Sequence, residues 1–180
     1  MAGAALKSRL MDEATMQRTL TRIAHEVMEQ GDTANLTLVG IRRRGVPLAR
    51  RLAEIIARFE GIQVPVGEVD ISLYRDDLTE LTDLPQASSV SLPLPVKGRT
   101  VVLVDDVIFT GRTARAAMEA VLRQGRAGAI RLAVLIDRGH RELPIRPDFI
   151  GKNIPTSRSE RVAVHVREID GENCVLLYGL

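Results

Sequence analysis

The sequence predicts an α/β fold, a mainly parallel central sheet flanked by helices on both faces. Three observations lead there. Short apolar runs such as "NLTLVG", "TVVLV" and "AIRLAVLI" are too uniformly hydrophobic to leave one face in water. They alternate with segments of helical period, the pattern of strand–helix–strand units. Three of the runs also end in glycine-bearing, charged loops, "GIRRRG", "VDDVIFTGRT" and "IDRGHRE". In such sheets ligands bind beyond the carboxyl ends of the strands, so those loops mark the chemical edge.

Taken in order, Met11 to Gln30 reads as an amphipathic helix, because Met16, Leu20, Ile23 and Val27 fall on one stripe and Gly31 follows as a stop. "NLTLVG" is a buried strand ending at Gly40. After "IRRRGV", Pro47 suits the first turn of a helix that runs to about Phe59 and closes near Gly61. "VGEVDISLY" alternates as a strand does. A loop rich in Asp, Ser, Thr and Pro, placed at about 75–99, exceeds the roughly 12–15 residues beyond which a structureless connection is usually functional or mobile. It is expected to be a flexible lid, with Tyr74 and Arg75 at its hinge. "TVVLV" is the central strand, Thr113 to Gln124 a helix stopped by Gly125, and "AIRLAVLI" a buried strand ending at Asp137. "RVAVHVRE" and "CVLLYG" are strands expected to pair through a turn at Asp170-Gly171.

The 180 residues suit one domain, 1–180, with its own core. Apolar residues make up 45% and charged residues 27%, the balance of an ordinary globular protein. No run reaches bilayer-spanning length, and Asp12 and Glu13 interrupt the start before a signal-peptide core could form. The one cysteine, Cys174, leaves no internal disulfide, so a cytoplasmic location without membrane attachment is expected. Net charge is only +2, and its distribution is more telling than its size. Glu68 to Asp83 carries six acids against Arg75 alone, whereas Arg138 to Arg161 carries six bases against Glu142, Asp148 and Glu160.

Two adjacent carboxylates, Asp105 and Asp106, stand where a buried strand ends, a costly arrangement unless a ligand uses them. Thr110 to Thr113 then opens a helix, whose unpaired amides and dipole favour an anion. Gly111 allows close backbone approach, and the Thr110 and Thr113 hydroxyls can join the amides around a phosphate. Carboxylates suit a vicinal diol. Phosphate at one end and hydroxyls at the other describe a ribose 5-phosphate. A response-regulator-like phosphoacceptor pocket would also put acids at strand ends, but it leaves the Thr-Gly-Arg-Thr turn without a purpose. Neither "GxGxxG" nor "GxxxxGK[ST]" is present.

"VVLVDDVIFTGRT" resembles the signature of type I phosphoribosyltransferases, which bind 5-phosphoribosyl-1-pyrophosphate (PRPP). "LTRIAHE", "VGIRRRGVPLARRLAE", "VGEVDISLYRDDL" and "AVLIDRGHRELPIRPDFIGKNIPTSRSE" extend the likeness over nearly the whole chain, to the PyrR family. That family joins uracil phosphoribosyltransferase activity to RNA-binding regulation of pyrimidine genes. The resemblance implies a type I phosphoribosyltransferase fold and conversion of uracil and PRPP to UMP and pyrophosphate. It assigns Asp105 and Asp106 to the ribose hydroxyls, Thr110, Gly111, Arg112 and Thr113 to the 5-phosphate, and Val107, Ile108 and Phe109 to the substrate site between them. Arg43 and Arg44 match the pyrophosphate loop, with catalytic weight alongside the acid pair. Arg138 falls near the base or pyrophosphate, and Val162 presents backbone to uracil. Mg²⁺ is implied, held mainly through substrate oxygens, with no dedicated protein ligand. Purine enzymes of this group often carry an acid three residues beyond the acid pair, where Phe109 stands here, and this favours a pyrimidine.

The family's second partner is a structured mRNA leader of pyrimidine genes, with UMP or UTP as signal and a homodimer or homotetramer as assembly. Thr21, Arg22 and His25 share one side of the first helix, away from its apolar stripe. They would merge with Arg141, Arg146 and Lys152 into one RNA-binding face if "LPIRPDFIGKN" packs beside that helix. Aromatic residues are only 3% and Trp is absent, so recognition should rest on arginine contacts rather than on stacking of many bases. A plain uracil phosphoribosyltransferase with a basic surface, and an RNA-binding regulator with a weak or inactive site, stand as alternatives.

Overall fold

A computed structural model describes residues 5–71 and 89–179. The elements are β1 (Ala5–Met11), α1 (Glu13–Glu29), β2 (Leu36–Ile41), α2 (Gly45–Glu60), β3 (Val66–Asp70), β4 (Ser89–Ser91), β5 (Thr100–Ile108), α3 (Arg112–Arg123), β6 (Ala129–Asp137), β7 (Phe149–Asn153), β8 (Glu160–His165), α4 (Arg167–Asp170) and β9 (Cys174–Gly179). Six strands form the central sheet in the order β4-β3-β2-β5-β6-β7, parallel except for the edge strand β4. The remaining strands, β1-β9-β8, form a separate antiparallel sheet.

The connections give this sheet a switch point. From β2 the chain crosses through α2 to β3 on one side, and from β5 through α3 to β6 on the other. The carboxyl ends of the adjacent strands β2 and β5 therefore splay their loops apart, and the crevice between them is where such sheets bind ligands. Helices α1 and α2 cover one face, where Leu20, Ile23, Leu52 and Ile56 pack with Leu38, Val102 and Leu135. Helix α3 covers the other, with Ala117, Ala120 and Val121 against Leu103 and Val134.

Helix α1 buries the expected stripe, Met16, Leu20, Ile23 and Val27, but starts later than Met11. Met11 ends β1, and the Asp12 carboxylate caps the helix by accepting from the Thr15 amide at 2.8 Å. Helix α2 begins at Gly45, two residues ahead of Pro47, so the proline sits in the first turn where its missing N–H costs nothing. The loop placed at 75–99 is corrected in its last part. Ser89–Ser91 pair antiparallel with β3, and Lys97 bridges Ala127. Residues 75–88, and the hinge at Tyr74 and Arg75, lie outside the described residues. "RVAVHVRE" is a strand only to His165, after which Arg167–Asp170 turn into α4. Its expected pairing with "CVLLYG" is present, from Glu160↔Gly179 to His165↔Cys174, although in the smaller sheet.

Strand β7 lies directly under α1. The Arg22 guanidinium donates to the carbonyls of Ile150 (3.0 Å) and Gly151 (2.5 Å). A Cβ on Gly151 would stand 2.3 Å from the Leu135 carbonyl oxygen and 2.7 Å from Thr19 Cγ2. Gly151→Ala is therefore expected to push β7 from β6 and lift α1, costing about 1–3 kcal/mol in urea unfolding. A midpoint equal to that of the parent protein would refute this close packing.

Candidate active site

The crevice is built by backbone approach before any side chain enters it. Gly45 lies against the end of β5, where a Cβ would sit 2.2 Å from the Val104 carbonyl oxygen and 3.3 Å from Asp105 Cα. Only glycine permits this contact, and it brings the loop after β2 beside the acid pair. The Arg42-Arg43 peptide in that loop is cis.

Asp105 is 7% exposed, and Asp106 is half-buried beside it. Each carboxylate is fixed by the next amide in the chain: Asp106 N–H donates to Asp105 Oδ1 and Val107 N–H to Asp106 Oδ1, both at 2.9 Å. The turn that follows is fixed by Gly111, whose φ of 92° is left-handed and which caps α3 without a side-chain hydrogen bond. The first turn of α3 thus has no N-cap side chain, the condition under which its amides can serve an anion. Thr110 Oγ1 accepts from the Arg112 amide at 3.3 Å. Thr113 is half-buried on the first turn, Val107 is half-buried, and Ile108 is in the core.

The three consecutive arginines have three different fates. Arg42 pairs with Glu68 and, at 3.3 Å, with Asp70 on β3. Arg43 is exposed and has no hydrogen bond or ion pair among the described residues. Arg44 is gripped by Asp170 through two bonds, Nε to Oδ2 at 3.0 Å and Nη2 to Oδ1 at 2.6 Å. These bonds raise the Arg44 pKa, and the charge of Asp106 adds to the effect. Arg43 and Arg44, paired in expectation, thus differ: one cation is available and one is held.

Arg138 is 7% exposed, and its guanidinium serves the fold as well as the site edge. It donates to Thr156 Oγ1 (3.1 Å), the Ser157 carbonyl (3.2 Å) and the Glu160 carbonyl (2.8 Å), which moors the start of β8. The same guanidinium lies 4.0 Å from the centroid of the Phe109 ring, whose edge meets His140. Burial lowers the Arg138 pKa. Val162, two residues beyond Glu160, is in β8 with its side chain buried. Phe109, Arg138 and β8 thus form one wall.

The expected RNA-binding residues separate into groups. Arg22 reaches β7 from α1 at the Ile150 and Gly151 carbonyls, whereas Lys152, exposed and one residue beyond the Gly151 position that faces Thr19, projects from the opposite face of the strand. Thr21 donates to the Gln17 carbonyl at 3.0 Å, while His25 packs on Phe59 of α2 with ring centroids 4.5 Å apart. Arg146 is exposed and shares a groove with His140, Pro144, Ile145 and Asn153. Arg141 is committed internally, donating to the Ile145 carbonyl (2.9 Å), the Phe109 carbonyl (2.8 Å) and the Asp137 carboxylate (2.5 Å).

Asp170 is the residue of this region that sequence reasoning read only as a turn. Its pKa is lowered, chiefly by the hydrogen bonds from Arg44 and further by the Val166 amide, against the opposing effect of burial. A carboxylate with a depressed folded pKa stabilises the fold above its unfolded value of about 3.9, and that contribution is lost as pH falls through the folded pKa. Asp170→Asn is expected to cost about 1–2 kcal/mol at pH 7, between the values for exposed and buried pairs. The gap between variant and parent should shrink on acidification towards pH 2. Urea unfolding at both pH values reads this out, and a gap that persists at low pH would refute it.

Residues 8–168 match the phosphoribosyl transferase domain family. The chain is 58% identical over 173 residues to the "Bifunctional protein PyrR" of Clostridium novyi, covering 96% of this chain and 97% of that one. It is 59% identical over 172 residues to the protein of the same name from Pelotomaculum thermopropionicum, covering 95% of each. For that of Thermus thermophilus the identity is 58% over 173 residues, covering 96% of each. Among solved structures, a hypoxanthine phosphoribosyltransferase from Staphylococcus aureus superposes with a TM-score of 0.74 at 19% identity, over 95% of this chain and 92% of that one. That of Trypanosoma cruzi gives 0.73 at 14% identity over 97% of each. The structural likeness shows the type I phosphoribosyltransferase fold alone, whereas the sequence identities are decisive for kinship. With its crevice between β2 and β5 and full-length relatives at more than half identity, the chain belongs to the phosphoribosyl transferase family and, within it, to the PyrR proteins.

Proposed function

We propose that this protein transfers the 5-phosphoribosyl group of PRPP to uracil, giving UMP and pyrophosphate, and binds the structured leader RNA of pyrimidine genes in response to the pyrimidine nucleotide. The observation that carries the reading is the acid pair ending β5, followed within five residues by the uncapped N-terminus of α3. Carboxylates suit the ribose 2- and 3-hydroxyls, while the first amides of α3 and the Thr110 and Thr113 hydroxyls suit the 5-phosphate. In the transfer, the bond from ribose C1 to the pyrophosphate oxygen breaks and a bond to uracil N1 forms, with loss of the N1 proton. Arg43 stabilises the departing pyrophosphate charge, and Arg44 adds field from its place against Asp170.

Phe109 favours a pyrimidine. Its ring, backed by the Arg138 guanidinium, offers a flat apolar neighbour and no acid to hold a purine N7 proton. The backbone of β8 near Val162 belongs to the same wall through the Arg138 bond to Glu160, and its N–H and C=O groups suit a pyrimidine edge. Hard carboxylate oxygens at Asp105 and Asp106 also fit the surroundings of a hydrated Mg²⁺ held chiefly by substrate oxygens. That ion supplies charge neutralisation on the pyrophosphate when bound.

The RNA face rests on three exposed bases, Arg22 of α1, Arg146 in the tract before β7 and Lys152 of β7. Arg22 also ties α1 to β7, so Arg146 and Lys152, without partners among the described residues, are the cleaner probes.

Asp106→Asn is expected to lower kcat/KM for PRPP by about 10–150-fold, the loss of a charge-assisted bond of about 1.5–3 kcal/mol. Unchanged UMP synthesis would refute the assignment of the acid pair. Arg146→Ala with Lys152→Ala should weaken leader-RNA binding and reduce the salt slope by about 1–2, with uracil turnover intact. A gel shift on the leader with and without UMP measures it, and an unaltered shift would reject this face. Glu142→Gln breaks the Arg112 ion pair (2.9 Å) between the phosphate turn and the tract leading to Arg146. Turnover should stay within about fivefold, as for an exposed pair, while the effect of UMP on RNA affinity diminishes. An undiminished UMP effect would show that coupling bypasses this pair.

A further inference from the structure

A second cluster of metal-binding side chains lies away from the acid pair, where the smaller sheet ends. His165 closes β8, Cys174 opens β9, and the two are register partners. Glu172 approaches from the turn between them. The donor atoms of all three lie within 4.8 Å of one another, and His165 Nδ1 stands 3.2 Å from Glu172 Oε1. Exposure is graded: Cys174 is fully buried, His165 half-buried and Glu172 exposed. One side of the cluster is therefore anchored in the core and the other open to solvent.

We propose that His165, Glu172 and Cys174 form a Zn²⁺ site with three protein ligands and water in the fourth position. Nitrogen, oxygen and sulfur donors together match a borderline-soft ion, whereas Mg²⁺ disfavours thiolate and requires oxygens. Adjacent antiparallel strands hold two of the donors rigidly. Arg9 pairs at 3.5 Å with Glu172 Oε2, which turns Oε1 towards the imidazole and orients the ligand, the usual task of a group behind a metal ligand. The unmetallated alternative is a His165–Glu172 hydrogen bond beside a buried thiol. Burial and the neighbouring Glu172 raise that thiol's pKa, so binding must displace its proton to the solvent.

The site has a structural consequence. Its ligands bracket α4, the four-residue helix that carries Asp170 to Arg44. Zn²⁺ would close this connection at its base and hold Asp170 in place, without touching the substrate crevice.

The test uses the full chain, free of any histidine tag and stripped with chelator, titrated with Co²⁺ as spectroscopic probe and then with Zn²⁺. The expected result is one ion per chain, a thiolate-to-Co²⁺ charge-transfer band abolished in Cys174→Ser, and at least tenfold weaker binding in His165→Ala. Zn²⁺ should also raise the unfolding midpoint of the parent protein but not of Cys174→Ser. His165→Ala removes a half-exposed side chain, so it keeps the test decisive if Cys174→Ser fails to fold. Absence of the charge-transfer band, or a band that His165→Ala and Glu172→Gln both leave unchanged, would overturn the proposal.

Discussion

The site depends on one close approach, the backbone of Gly45 against the carbonyl of Val104. Adjacent parallel strands hold their own ends about 5 Å apart, but the loops beyond those ends need a reason to stay near. Gly45 supplies it by leaving no Cβ between the start of α2 and the end of β5. With that contact made, the loop that carries Arg43 and Arg44 enters α2 beside Asp105, near enough for the Asp106 charge to act on Arg44. A side chain there would widen the crevice before any chemistry was altered.

The cost of two adjacent carboxylates is met in several ways. Each accepts from the next backbone amide, which also sets its orientation. The charge of Asp106 adds to the raising of the Arg44 pKa, although the hydrogen bonds of Arg44 go to Asp170. Arg44 thus brings positive charge to the site without pairing directly with Asp106, whose carboxylate stays open to the ribose hydroxyls of the proposed substrate. Asp170 holds Arg44 at that intermediate distance. The smaller sheet, moored by Arg44–Asp170 on one side and by the Arg138 bonds on the other, becomes a wall of the crevice rather than an appended hairpin.

What the sequence made legible follows from how local each cause is. The long buried strands, the α1 stripe, the acid pair and the phosphate turn all carry their signal within a dozen residues, and they stand where periodicity and turn chemistry put them. The unread strands are short or polar. Strand β1, "ALKSRLM", is exposed over most of its length, β4 is three residues at an edge, and β7, "FIGKN", has glycine and lysine where alternation would be sought. Each is a strand because a partner recruits it. The same holds for Asp170, whose partner Arg44 is 126 residues away. It also holds for Arg141, which looks like a surface base in sequence but completes the loop that follows β6. Nothing beside an arginine in the chain reveals whether a distant carbonyl will claim it.

That claimed arginine ties the loop after β6 to the turn before α3. The phosphate turn does not end at Thr113 but continues, through space, into residues 141–145. The Thr110 carbonyl accepts from the amides of Glu142 (2.9 Å) and Leu143 (3.2 Å), Arg112 pairs with Glu142, and Arg141 reaches the Phe109 carbonyl. From there the chain runs through Arg146 into β7, which carries Lys152 and lies under Arg22. On the proposed function, a phosphate at the Thr110–Thr113 amides would act on the same backbone whose carbonyl anchors this tract. Any adjustment of the turn must then be absorbed by the tract, because close-packed neighbours leave no slack. On the proposed function, nucleotide and RNA would bear on opposite ends of one hydrogen-bonded segment. A ligand shifts such a segment only by its differential affinity for the two arrangements, and the RNA must respond by the same free energy.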